Sequence, residues 1–253
     1  MTPGPLGRER PVRAVTFDFW DTLVRSDTAA FRLARRIAVA EELDRHGLPA
    51  EHDAIEAAFD VALHKFNSGW NSNEQFTGHH AADVVADILG HDPSPTVRAA
   101  LIDAYLGSQG EVQTELAPNV AATLRTLNDA GVRIGIVCDV GLTPSTNLRH
   151  ILERHGVLGL FDHWSFSDEV GIYKPAPEIF EHALHGLGDL EPADAAHIGD
   201  LRRTDVAGAL GMGMLALRYS GLADDDDPAH GPEADLVIAD HAELPLLLLG
   251  EVA

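Results

Sequence analysis

The sequence offers almost no sulfur chemistry. Its 253 residues include one cysteine, Cys138, so an internal disulfide cannot form and a cysteine-cluster zinc site is excluded. Positive charge is scarce too: eighteen Lys and Arg stand against forty Asp and Glu, a formal net charge of -22. Such a field repels polyanions, which argues against nucleic acid as a partner. It would equally repel a small phosphate ester, so a phosphate site here must supply local positive charge, most simply a divalent cation and one lysine. Long hydrophobic runs are also missing. No apolar stretch approaches the ~18–20 residues that span a bilayer, and the opening M-T-P-G-P-L-G-R-E-R has no hydrophobic signal core. The expectation is a cytoplasmic protein with no membrane partner. With 45% of residues hydrophobic, the chain can bury one large α/β domain, or a core domain with a smaller one attached. It has no internal repeat.

What is present begins with the stretch F-D-F-W-D-T-L, Phe17 to Leu23. It follows Val12-Arg13-Ala14-Val15-Thr16, so a short β-rich run ends at Asp18, and a strand-end carboxylate is where open α/β sheets put their chemistry. From about Ser26 to Glu115 the spacing is helical in four places and no strand is evident. Phe31, Ala34, Ile37, Ala38 and Leu43 mark one helix, and Ile55, Phe59, Leu63 and Phe66 the next. Val84, Val85, Ile88 and Leu89 mark a third; Val97, Leu101, Ile102, Tyr105 and Leu106 mark a fourth. A small helical bundle therefore interrupts the chain after its first strand.

From Pro118 onward helices and strands alternate, which predicts a parallel sheet of βαβ units. Strand runs fall at 132–138, 164–166, 195–199, 214–217 and 235–238, with helices through Val120–Leu127, Ser145–His155, Ala176–Leu187 and Val206–Leu210 and a leucine-rich one at the end. The acidic run Asp224 to Asp227 reads as a solvated loop. Trp70, Asn71, Asn73, Gln75, His79 and His80 read as a polar loop, and the adjacent His pair as a poor metal site. The expected boundaries are 1–25 with 116–253 for the sheet and 26–115 for the helices.

Four spots stand at predicted C-terminal strand ends: Asp18; Cys138-Asp139; Lys174-Pro175; and Gly199-Asp200 with Asp205 five residues on. In a parallel sheet these ends share one edge. Singly each has an ordinary reading, as a helix cap, a surface lysine or a common turn. In this order and spacing they resemble the haloacid dehalogenase-like hydrolase superfamily. Asp18-Phe19-Trp20-Asp21-Thr22 resembles its D-x-D-x-T motif, Cys138 stands where its second motif has Ser or Thr, Gly171 to Pro175 resembles its lysine motif, and Gly199 to Asp205 its G-D-x-x-x-x-D motif.

The resemblance implies a Rossmann-like parallel sheet core with an inserted α-helical cap. It implies Asp18 as nucleophile, forming an aspartyl-phosphate that water then opens. It further implies Mg2+ held by the carboxylates of Asp18 and Asp200 and the carbonyl of Trp20, with Asp205 on a metal-bound water or orienting Asp200. Lys174 would balance charge on the transferring group, and the Cys138-Asp139 segment would contact it.

Two departures stand out. Trp20 occupies the place of the second aspartate, the family's general acid, and Asp21 next to it is the candidate substitute. Cys138 is a poorer hydrogen-bond donor than Ser or Thr. An aromatic at the Trp20 position also resembles the 2-haloacid dehalogenase branch, which works at carbon without metal, but the intact Asp200 and Asp205 favour a cation-dependent site. The expectation is a magnesium-dependent phosphatase of a small phosphorylated metabolite, acting as a monomer or homodimer. The alternatives are a dehalogenase-like enzyme acting at carbon and a non-catalytic phosphometabolite-binding protein.

Overall fold

Strand β1, Ala14–Phe17, is buried at every position, as expected of a strand covered on both faces. A computed structural model of the protein describes residues 11–250. The opening stretch that lacks a signal core lies outside the described residues. Beside β1 lie β2 (Arg133–Cys138) and β4 (Ala195–Gly199), with β3 (His163–Phe166), β5 (Leu215–Tyr219) and β6 (Leu236–Ile238) further out. Among the described residues these make a six-stranded sheet in the order β3-β2-β1-β4-β5-β6, and each neighbouring pair is parallel. The order runs outward in both directions from β1 and β4, so the topological switch point falls between these two strands. Open α/β sheets bind ligands at the carboxyl ends of the strands there. In register, Phe17 pairs with Ile136 on one side and Ile198 on the other, so Asp18, Cys138 and Gly199 come out on one edge.

The helices, in chain order, are α1 (Thr28–Arg45), α2 (His52–Ser72), α3 (Gly78–Gly90), α4 (Pro95–Gly107), α5 (Val120–Asp129), α6 (Ser145–Arg154), α7 (Ser167–Val170), α8 (Pro177–Gly186), α9 (Ala207–Met212) and α10 (Leu244–Leu249). None among the described residues is long and apolar enough to cross a membrane. Sequence chemistry explains several boundaries. Asp27 accepts from the Ala30 N–H at the start of α1, Thr77 and His80 make a reciprocal cap at α3, and Pro95 opens α4 after the Ser94 cap. Each satisfies, or removes, a donor that a helix start leaves orphaned.

The chain divides into two compact units. Among the described residues, one comprises 11–26, Glu115–Asp139 and 152–250; the other is Asp27–Thr114 with Val140–Ile151. The second unit therefore takes in the segment that follows β2, which the expected boundaries assigned to the sheet. Its tie to the helices is direct: Arg35 on α1 donates to the Thr143 hydroxyl at 3.0 Å, and Asn147 donates to the Leu106 carbonyl at 3.1 Å.

The helical unit packs Val39, Leu43, Phe59, Val85, Leu101 and Tyr105 into one core. Its α1 face differs from the expected stripe. Ile37 is 51% exposed while Arg35 is 6% exposed, because the Arg35 guanidinium lies over the Tyr105 ring, 5.4 Å from its centre. A cation that stacks on an aromatic face can occupy an inward position that a simple apolar stripe would deny it. The expected polar loop is also mostly helix: Trp70 and Asn71 close α2 and His79 and His80 open α3. The His80 Nδ1 accepts from the Thr77 N–H at 3.0 Å, which occupies it as a cap.

Candidate active site

The backbone of Asp18 is pinned to β4, its N–H donating to the Ile198 carbonyl at 2.8 Å. Just beyond it the chain makes a tight reversal. Leu23 and Val24 both donate to the Phe19 carbonyl, Asp21 donates to Val24, and Ala117 donates to Leu23. Asp21 takes a left-handed conformation, φ 51°, which an Asx residue tolerates better than most. Both oxygens of its side chain accept from Ser26, from the N–H at 3.0 Å and the hydroxyl at 2.5 Å. Behind the turn, the buried His241 Nε2 donates to the Thr22 carbonyl at 2.8 Å. Burial lowers the His241 pKa to about 4, so this donor is a neutral ring. Trp20 is half-buried and sits edge-on to Phe19, ring centres 4.8 Å apart.

Asp18 and Asp205 share Lys174. Its Nζ donates to Asp18 Oδ1 at 2.5 Å and to Asp205 Oδ1 at 2.6 Å, and the lysine side chain is 2% exposed. The backbone N–H of Lys174 donates to Asp139 Oδ1 at 3.0 Å, so Asp139 ties the end of β2 to the lysine loop. Asp200 follows Gly199 at the end of β4, and Asp18, Asp200 and Asp205 each present an oxygen within 4.8 Å of the others. Gly199 is required by this closeness. A Cβ built there would overlap the carboxyl group of Asp205, so any larger residue must push that side chain away.

The electrostatics follow from burying three carboxyls beside one ammonium. Burial pushes the Asp18 pKa up to about 7, with Lys174 lowering it and Asp205 raising it. Burial and then the charges of Asp18 and Asp205 hold Asp200 well above the carboxylate range. Burial would raise Asp205 as well, but Lys174 and His197 outweigh it and keep that group ionised. Lys174 goes the opposite way: burial would lower it, and the surrounding carboxylates hold it well above its usual value. Burial, then the Asp18 charge, raise the Cys138 thiol, which favours its protonated form over the thiolate that a nucleophilic role needs.

A family model of haloacid dehalogenase-like hydrolases matches residues 12–213. The chain belongs to this family. Among curated relatives, it is 31% identical over 240 residues to a glyceraldehyde 3-phosphate phosphatase of Pyrococcus furiosus, covering 94% of this chain and 92% of that one. Among solved structures, it is similar to a HAD phosphatase from Thermococcus onnurineus, 25% identical with a TM-score of 0.61, over 94% of this chain and 99% of that one. A 2-haloacid dehalogenase from Pseudomonas syringae pv. Tomato has the same fold, with a TM-score of 0.69 at 24% identity, over 94% and 98% of the two chains.

The residues of this haloacid dehalogenase-like hydrolase suit a hard divalent cation, which takes oxygen ligands and tolerates dense negative charge. The donor set is three buried carboxylates, two of them with raised pKa values that a cation would reverse. Asp205 is the least available of the three. Its Oδ1 already accepts from Lys174 and His197, and its Oδ2 from the Leu201 N–H at 3.1 Å and the Thr204 hydroxyl at 3.3 Å.

Sequence patterning did not single out Thr16 or His197. The signal was there as a polar residue inside each of two apolar strands, A-V-T-F and A-A-H-I-G. The turn after Asp200, one wider π-type turn at Arg202–Val206, left no sequence trace that periodicity could find.

Proposed function

We propose that this hydrolase is a magnesium-dependent phosphatase of small phosphorylated metabolites, working through an aspartyl-phosphate on Asp18. The observation that carries the reading is the buried arrangement of Asp18, Asp200 and Asp205 around Lys174. The phosphatase names of relatives at about this level of identity support it. Asp18 and Asp200, with the Trp20 carbonyl, would hold the ion. When bound, the ion supplies the positive charge that lets a phosphate dianion approach a carboxylate.

In the first step an Asp18 oxygen forms a bond to phosphorus and the bond to the leaving oxygen breaks, its electron pair departing with the leaving group. Lys174 balances charge on the transferring group. Water then attacks phosphorus, frees Asp18 and releases inorganic phosphate. An alkoxide leaving group needs a proton as it departs, whereas a carboxylate or aryloxide does not. Trp20 stands where the family's acid would give that proton, and Asp21 is engaged with Ser26. The favoured substrates are therefore acyl phosphates, other esters with activated leaving groups, or esters that carry their own proton donor.

The test is a panel of acyl, aryl and alkyl phosphates of similar size, with magnesium and with excess chelator. Metal-dependent release of phosphate, fastest from acyl and aryl substrates, is expected. Halide release from a 2-haloacid in excess chelator would establish the carbon-centred alternative. Binding of phosphometabolites without turnover would establish a non-catalytic role.

A further inference from the structure

Beneath the Asp18 edge, β1 and β4 carry a pair of buried polar side chains that neither bond-making nor bond-breaking at phosphorus uses. Thr16 and His197 are partners in the parallel register of these strands and are 0% and 1% exposed. Residues two apart on a strand share a face, so Thr16 lies on the same side of the sheet as Asp18. The His197 ring stands edge-on to Phe180, centres 5.1 Å apart at 88°. Nε2 lies 3.0 Å from Asp205 Oδ1 and Nδ1 lies 2.9 Å from the Thr16 hydroxyl.

We propose that His197 is a positioning residue: its Nε2–H fixes Asp205 and, through Asp205, sets the Lys174 ammonium against the nucleophile Asp18. The proposal rests on the phosphatase reading for its kinetic part, but the hydrogen-bond assignment does not. An ionised carboxylate only accepts hydrogen bonds, so Nε2 carries a proton in either charge state of the ring. Thr16 completes both cases. Its hydroxyl can donate to Nδ1, or it can accept from Nδ1–H and donate to the Ala196 carbonyl at 3.3 Å. The neighbours thus set the tautomer, as a hydrogen bond at one ring nitrogen sets the proton at the other.

The consequence for Lys174 is geometric. Asp205 Oδ1 has two acceptor directions, one taken by His197 and one by Lys174, while Oδ2 is taken by Leu201 and Thr204. With all four directions filled the carboxylate cannot turn. Without His197 as donor, Oδ1 has only Lys174 to satisfy it and draws the ammonium away from Asp18. The loss then falls on transfer of the phosphoryl group to Asp18, the step that both kinds of ester share.

The experiment uses the full chain with magnesium and 4-nitrophenyl phosphate, alongside an alkyl phosphate. His197→Leu is expected to lower kcat by about 10–100-fold, the scale for removing a residue that orients a site group, with KM changed far less. Both substrates should fall by the same factor. His197→Gln, whose side-chain amide reaches the Nε2 position, should recover most of the loss, and the shorter His197→Asn should not. Equal activity of the Gln and Asn variants, or an unchanged kcat in folded His197→Leu, overturns the positioning role. Independently of turnover, ring nitrogen NMR of the wild type should show Nε2 protonated, with Asp205→Asn shifting that signal. An unprotonated Nε2 overturns the assignment itself. An enzyme that hydrolyses no phosphate ester overturns the phosphatase reading and the kinetic role together, and the ring signals still decide the assignment.

Discussion

Asp224, Asp225 and Glu233 meet two guanidinium groups, whereas Asp18, Asp200 and Asp205 are gathered about the ammonium of Lys174. In the first cluster Arg218 reaches Glu233 at 2.9 Å and also binds Asp224. Arg202 binds Glu233 and the Asp225 carbonyl, the latter at 2.7 Å, and its backbone N–H donates to the Asp225 side chain at 2.8 Å. His230 adds a further bond to Asp225. The shifts run in opposite directions except at Asp205, which Lys174 and His197 keep ionised. Hydrogen bonds from Arg218 hold Glu233 below the usual carboxylate range, while burial and like charge push Asp18 and Asp200 above it. A carboxylate matched by a fixed guanidinium gains from being charged; a carboxyl buried among its own kind gains only when another cation arrives. The first cluster is matched by guanidinium groups, and the second gathers more carboxyl groups than cations, which the proposed function would balance with an ion.

The sharpest way to break this contrast is at Asp18, the proposed nucleophile. Asp18→Asn keeps the shape of the side chain but removes its nucleophilic oxygen anion, and should lower turnover by more than ~10³-fold, a loss of the size seen when catalytic nucleophiles are removed. Steady-state rates on an acyl phosphate, with folding checked by circular dichroism, decide it. Substantial turnover in the folded variant removes Asp18 from the role.

Next in size is the ion. Activity should disappear in excess chelator and return with magnesium, and Asp200→Ala should weaken magnesium affinity more than Asp205→Ala. The order follows from the oxygens of Asp205, which already accept four hydrogen bonds. Titration calorimetry with magnesium on both variants would reverse the assignment if Asp205→Ala proved the weaker binder. Asp224→Asn serves as the control and should leave the affinity unchanged.

One half of this contrast is legible in the amino-acid sequence and the other is not. Buried parallel strands appear as mainly apolar runs, so A-V-T-F and R-I-G-I-V-C locate the sheet, and the ends of such runs locate Asp18, Cys138 and Asp200; Lys174, expected at a strand end too, instead lies beyond both β3 and α7, in the loop that leads into α8. The four helices before Glu115 are legible for the same reason of periodicity. What is hidden depends on partners far away in the chain. Asp224 to Asp227 reads as a solvated loop, and most of it is exposed, but nothing local announces that Arg218 will bind Asp224 and Arg202 will bind Asp225. Arg35 breaks the expected stripe of α1 because Tyr105, seventy residues on, offers it an aromatic face. Thr16 and His197 become a pair only through strand register. Segment Val140–Ile151 joins the helices through bonds that its own sequence does not encode.

A smaller effect is expected from adding a carboxylate to the Asp18 cluster. Trp20→Asp places an acid at the position the family uses, and should raise turnover of alkyl phosphates relative to aryl phosphates by up to ~10²-fold. Trp20 is half-buried, so the packing cost should stay below the ~3–5 kcal/mol of deleting a fully buried aromatic. The ratio of the two kcat/KM values is the readout. A ratio that does not move in the folded variant means that protonation of the leaving group does not limit this enzyme.

The smallest effect tests the other cluster. Glu233→Gln should leave kcat and magnesium affinity untouched and cost about 1–2 kcal/mol of stability, less than the ~3–5 kcal/mol of breaking a fully buried pair. The Arg202 and Arg218 side chains are 8% and 5% exposed but that of Glu233 is 44% exposed, and water replaces part of what the carboxylate supplies. The pH dependence has a definite sign. Glu233 has its folded pKa lowered from 4.5 by the Arg218 hydrogen bonds, so its contribution is fully present above that value and is lost as pH falls through the folded one. Urea midpoints of wild type and Glu233→Gln should therefore differ at pH 7 and converge as the pH is taken below 4.5. A gap that persists unchanged at low pH means that the glutamate acts through packing alone, and the charge balance that separates the two clusters does not hold the loop.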